Sequence, residues 1–150
     1  MNPATLQFIE RMGLAMERMS LPRTFGRLAG LLLVADDPLA LDDIARRLGV
    51  SKASVSTNAR AAQEIGLIRR VGMRGDRRDY YEIVPGAFER ITRRRIESLH
   101  EMAGLAAEGL EAVEEEETKA RARLTEMLDF YLFMGEEVEN LLERWKRVRE

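Results

Sequence analysis

The 150-residue chain has no cysteine and one histidine, His100. With no thiol there is no disulfide framework and no thiolate nucleophile, a usage that fits a cytoplasmic protein. A single imidazole without cysteine cannot assemble a multi-ligand zinc centre, so no metal and no other cofactor is expected. The chain also lacks a G-x-S-x-G elbow, a G-x-x-x-x-G-K-[ST] phosphate loop and a G-x-G-x-x-G turn after a strand. These absences point away from an enzyme. No stretch of 18 apolar residues occurs, and the opening segment MNPATLQFIERMG has neither a basic start nor an apolar core. Neither a membrane span nor a secretory leader is therefore expected. Proline stops at Pro85, which leaves the remainder free to form uninterrupted helix.

Apolar residues make up 45% of the chain, enough for a packed core. The net charge of −2 conceals an asymmetry. Residues 20–95 carry 15 Lys/Arg against 9 Asp/Glu, whereas residues 96–150 carry 7 against 15. A basic half joined to an acidic half suits a protein that meets a polyanion on one face, although segregated surface charge alone gives the same count.

Residues 4–19 place Phe8, Met12, Ala15, Met16 and Met19 on one helical stripe. Pro22 suits the start of a second helix, which Asp36-Asp37-Pro38 terminates. LDDIARRL, residues 41–48, reads as a short helix followed by Gly49 as a turn residue. Ser51 then caps a further helix that ends at Gly66. LIRRVGM and RDYYEIV are rich in β-branched and aromatic residues and form a hairpin, with Arg74-Gly75-Asp76-Arg77 as its turn. Beyond Pro85-Gly86, apolar residues recur in steps of three and four from Leu99 to Val148, which predicts long amphipathic helices. Glu114–Glu117 falls at a break between them or on a solvated face. The unpartnered stripes of such helices call for a second copy of the chain.

The functional signal lies in residues 41–60, LDDIARRLGVSKASVSTNAR. Ala45, Gly49 and Val55 stand at offsets of 0, 4 and 10. These supply the small residue, the turn residue tolerant of positive φ and the apolar lock of a helix-turn-helix. On the second helix Val55, Ala59 and Ala62 face inward. Lys52, Ala53, Ser56, Thr57 and Arg60 face outward, with Asn58 near the border. Short hydroxyl side chains let a helix approach the floor of a major groove, asparagine pairs with adenine, and arginine grips the guanine edge. Ser51, Lys52, Ser54, Ser56, Thr57, Asn58 and Arg60 are thus candidates for DNA contact. The hairpin turn adds Arg74, Asp76, Arg77 and Arg78, a basic wing suited to the minor groove. A helix-turn-helix that packs only against protein would show a similar polar face.

This combination resembles the MarR family of winged helix-turn-helix transcriptional regulators. Over residues 20–84, including S-V-S-T-N-x-R and the wing GDRRDYYEI, it is similar to the GbsR-like branch, typified by the glycine-betaine-synthesis regulator. The resemblance implies a mainly α fold with a small β-wing. It implies an N-terminal helix (1–19) contributing to dimerisation, a winged domain (20–84) and C-terminal dimerisation helices (85–150). It further implies a homodimer on a pseudo-palindromic operator, with Asp76 and Arg78 as the wing's D-x-R pair and Arg23 and Thr24 contacting phosphate; a compact dimer without an activation domain leans towards a repressor that acts by occlusion. The family often binds a small effector. Tyr80, Tyr81, Phe130, Tyr131, Phe133 and Trp145 are the aromatic candidates for a quaternary-ammonium cage. The alternative reading is a protein-binding winged-helix module with no specific DNA target.

Overall fold

In the computed structural model, which describes residues 1–149, the Asn2 side chain opens the first helix by accepting the Thr5 N–H at 2.8 Å. This helix, α1, runs Pro3–Arg18. Next come α2 (Arg23–Leu33), the short strand β1 (Leu39–Ala40), α3 (Leu41–Leu48) and α4 (Lys52–Glu64). Strands β2 (Ile68–Met73) and β3 (Asp76–Ile83) precede two long helices, α5 (Ala87–Ala112) and α6 (Thr118–Arg149). The chain divides into two units, Met1–Ala87 and a second from Phe88 onward.

The first unit is built on α2. Phe25, Leu28, Leu31 and Leu32 are buried along it, and Ile44, Leu48, Val55, Ala59, Ile68 and Tyr81 complete the core from α3, α4 and the sheet. From the other side α1 crosses α2 at contact distance, because glycines stand at the crossing. A Cβ built on Gly26 would lie 2.4 Å from the Met12 carbonyl oxygen and 2.8 Å from Gly13 Cα. Arg27 then ties three helices together. Its Nε donates to Glu10 Oε1 at 2.7 Å and its Nη2 to the Leu48 carbonyl at 2.8 Å, which satisfies the C-terminal end of α3. The face that α1 buries differs from the expected stripe. Ile9 and Gly13 are its buried positions, while Phe8 and Met19 remain exposed.

The turn between α3 and α4 is closed by Gly49, whose φ of +63° is the left-handed conformation a side chain resists. Ser51 Oγ accepts the Ser54 N–H at 3.1 Å and caps α4. The sheet is antiparallel in the order β1-β3-β2, with Leu39 opposite Tyr81 and Ile68 opposite Ile83. Met73 pairs with Asp76, so the hairpin turn is Arg74-Gly75 alone, with Gly75 at φ +82°. Asp76 and Arg77, read from the sequence as turn, begin β3 instead. Strand β1 was not anticipated, because two residues carry no periodicity.

In the second unit α5 and α6 form an antiparallel hairpin. Gly109 sits against Leu124 and Gly135 against His100. Arg121 Nη1 donates to the carbonyls of Leu110 and Val113 at 2.9 and 3.0 Å and caps the end of α5. Glu114–Glu117 lies between the two helices.

The glycine crossing gives a paired test. Gly26→Ala must push backbone apart, and overpacking of this kind costs about 1–3 kcal/mol, more than the ~1 kcal/mol that alanine gains in helix propensity. Gly104→Ala in α5 meets nothing within 4 Å, so it should stabilise by roughly 0.5–1 kcal/mol. Urea unfolding of both variants decides. A Gly26→Ala protein as stable as wild type would refute the close approach.

Candidate nucleic-acid interface

The reading face is built on α4. Ser54, Ser56, Thr57 and Asn58 each cost roughly 0.5 kcal/mol in helix propensity relative to alanine, about 2 kcal/mol together. Burial of Val55 returns about 1.5–3 kcal/mol and the Ser51 cap about 1 kcal/mol, so packing holds a helix that propensity alone would not. Val55 and Ala59 are each 0% exposed. Lys52, Thr57 and Arg60 are exposed, and Ser54 and Ser56 are half-buried. Asn58 differs from its border position on the helical wheel. It is 7% exposed, and its Nδ2 donates to the Ser54 carbonyl at 2.8 Å. That amide is engaged by the backbone of its own helix, on the buried side of the border.

Part of the charge on this candidate surface is paired. Lys52 Nζ lies 2.7 Å from Asp42, and Arg23 Nη2 lies 2.9 Å from Glu10. Burial opposes ionisation of Glu10, but the guanidiniums of Arg23 and Arg27 outweigh it and hold the carboxyl below its ordinary range. Thr24 is half-buried in the first turn of α2.

On the wing, Asp76 Oδ2 accepts from Arg78 Nε at 2.9 Å, Arg78 Nη2 at 2.7 Å and the Tyr80 hydroxyl at 2.7 Å. Its Oδ1 accepts the Arg78 N–H at 2.9 Å. The Arg78 side chain therefore holds Asp76 well below the usual carboxylate range. Arg78 also lies over the Tyr80 ring, 5.2 Å from its centroid. The result is an arginine fixed in direction rather than one swinging on a loop. Arg74 and Arg77 are exposed, and among the described residues neither has an ion-pair partner.

Of the six aromatic candidates, Tyr80 and Tyr81 belong to the first unit and Phe130, Tyr131, Phe133 and Trp145 to the second. Tyr80 and Tyr81 are consecutive on β3 and point to opposite faces. Tyr80 is engaged by Asp76, and Tyr81 is buried. On α6, Phe130 and Tyr131 meet edge to face at 5.4 Å, with Phe133 exposed nearby. Trp145 is on the same helix but lies roughly 18 Å beyond Phe133 at 1.5 Å per residue.

Sequence reasoning missed the carboxylates of the interface. Asp42 and Asp43 in the first turn of α3, and Glu10 in α1, each meet a cation of the candidate surface. Asp42 and Asp43 stand in the first helix of the helix-turn-helix, and the spacing to Lys52 was the available signal. Glu10 gave none, because its partners are 13 and 17 residues away.

Comparison with known proteins supplies the context. A model described as MmpR5-like MarR family transcriptional regulator matches residues 86–149, and a MarR family model matches residues 21–79. The HTH-type transcriptional regulator MmpR5 of Mycobacterium tuberculosis is 37% identical over 147 residues, 97% of this chain and 89% of the relative. YvaV of Bacillus subtilis, named as an HTH-type transcriptional regulator, is 30% identical over 76 residues, 51% of this chain and 43% of its own. A crystal structure of a transcriptional regulator superposes with a TM-score of 0.83 at 37% identity, covering 97% of this chain and 99% of the other. These matches carry the family but not the narrower GbsR-like branch. With the winged helix-turn-helix geometry, they establish that the chain belongs to the MarR family of transcriptional regulators, which are not enzymes.

Proposed function

We propose that the chain is a homodimeric repressor that binds a pseudo-palindromic duplex through two copies of α4 and occludes transcription. The observation that carries the reading is α4 itself. Its Val55 edge is fully buried while its Lys52, Thr57 and Arg60 edge is open, so the helix presents short donors and one long guanidinium outward. Ser51, Ser54 and Ser56 contribute hydroxyls beside them, and Asn58 serves as the internal brace. Arg23 and Thr24 at the start of α2 take phosphate contacts, Arg23 after leaving Glu10. The wing supplies Arg74 and Arg77 as extended cations, with Asp76 aiming Arg78.

Dimerisation rests on apolar side chains left open on the terminal helices. Leu6, Phe8 and Leu14 on α1, and Phe133, Leu141 and Val148 on α6, are exposed in the single chain. Phe133 at 61% and Val148 at 78% are far outside what a solvated helix needs. Within the family, the full-length likeness to MmpR5 supports kinship with that regulator, while the GbsR-like likeness bears on the reading head alone. A small effector belongs to this reading through the family only, and none of Tyr80, Tyr81, Phe130, Tyr131, Phe133 or Trp145 is assigned to it. The reading places the protein in the cytoplasm. No helix among the described residues is long and apolar enough to cross a membrane.

Selection of binding duplexes from a randomised pool tests the reading. A two-fold related sequence with half-sites roughly 34 Å apart is expected. Failure to enrich any sequence would favour the protein-binding module. Sedimentation at micromolar concentration should give twice the 17.1 kDa of one chain; a monomer would sink the symmetric model. Arg60→Ala should cost about 1–3 kcal/mol on the selected duplex and relax one base position. An equal loss on scrambled DNA would reassign Arg60 to phosphate.

A further inference from the structure

Two cations around the helix-turn-helix are held by two neighbouring carboxylates, and a third, Arg78, lies close to one of them while paired with Asp76. Lys52, the first residue of α4, lies 2.7 Å from Asp42 Oδ1. Asp43 Oδ1 meets Arg46, and Asp43 Oδ2 lies 3.6 Å from Arg78 Nη1 on the wing. Asp42 and Asp43 thus bridge from α3 to the two elements that would approach DNA, the reading helix and the wing.

We propose that Asp42 and Asp43 are built-in counter-ions, positioning residues that hold Lys52 and Arg46 off phosphate in the free protein, with Asp43 adding to the hold that Asp76 has on Arg78, and so set the strength and salt dependence of duplex binding. This rests on the DNA-binding reading above. All five side chains are at least partly solvated, with Lys52 67% and Arg46 74% exposed. Exposed ion pairs of this kind are weak and exchange readily. A phosphate oxygen offers the same charge and acceptor geometry as the carboxylate it replaces. On a duplex, each displaced carboxylate becomes an uncompensated negative charge near the backbone, which opposes binding. Removing the carboxylate charge therefore favours binding twice, by freeing a cation and by deleting a repulsion.

The competing explanation is structural: a carboxylate in the first turn of α3 favours that helix through its dipole. Such a role would affect stability and leave the salt dependence of binding unmoved. Asp42→Asn, Asp43→Asn and the double variant separate the two. Binding of the full-length protein is measured on a duplex selected from the randomised pool and on a scrambled duplex, across a salt series. Each Asn variant should bind both duplexes roughly two- to fivefold more tightly at low salt. The slope of log affinity against log salt should steepen by roughly 0.9 for each cation released to phosphate. Asp42→Glu, which keeps the charge, should match wild type in slope. Unchanged affinity and slope in folded Asn variants, or weaker binding, overturns the proposal. Where Asp43→Asn does not fold, Asp43→Ser takes its place, since serine keeps a first-turn hydrogen-bonding group without the charge. If wild type binds neither duplex, the DNA-binding reading fails, a result distinct from failure of the counter-ion proposal.

Discussion

Everything the first unit presents to a partner depends on the burial of one edge of α4 against α2 and α3. The helix carries serine, threonine and asparagine where a stable helix would carry alanine or leucine. It persists because Val55, Ala59 and Ala62 lie in the core and Ser51 satisfies its first turn. Helix α2 can serve as the platform because its other side is occupied too. Gly26 and Gly30 allow α1 to pack backbone to backbone, and Arg27 links that crossing to the carbonyl end of α3. The polar face of α4 is thus held in place by tertiary packing in spite of its weak helix propensity.

The same reasoning separates scaffold from contact surface. Asn58, a residue type suited to adenine, is turned inward and braces its own helix. Arg78, the wing arginine nearest in pattern to the D-x-R pair, is held by Asp76 and Tyr80. Residue type offers both for DNA contact; their hydrogen bonds brace Asn58 against its own helix and orient Arg78. The cations with no ion-pair partner among the described residues include Arg60, Arg74 and Arg77, and all three are exposed.

What the sequence made legible was local. The offset of Ala45, Gly49 and Val55 encodes a turn whose geometry is set within eleven residues, and it located α3, the turn and α4 correctly. Helix caps and the position of the acidic break between α5 and α6 were legible for the same reason. Features that join distant segments were not. The glycines at 13 and 26 read as ordinary small residues until α1 and α2 are placed across each other. The pairing of Arg23 with Glu10, and of β1 with β3, depends on the same long-range placement. Tyr80 and Tyr81, both among the aromatic candidates, are adjacent on a strand and so point to opposite faces.

Charge shows most plainly how summing along a sequence misleads. The C-terminal part counts as acidic, yet its hairpin is polarised. Gly109 faces Leu124, Gly135 faces His100, and Arg93 contributes electrostatically at Glu143. That register brings the segment Arg90–Arg95 alongside the segment around Trp145, where Arg144, Lys146 and Arg147 stand. At the other end, roughly 30 Å away along the helices, the six carboxylates Glu108, Glu111 and Glu114–Glu117 outnumber the three cations Lys119, Arg121 and Arg123. The hairpin therefore has one basic end and one acidic end, which a net count over residues 96–150 averages away. A polyanion responds to the local field within about a Debye length, about 10 Å at 0.1 M salt, and not to the sum over a segment. The basic-half and acidic-half division of the chain consequently describes its order of synthesis. The physically relevant division runs through the second unit itself.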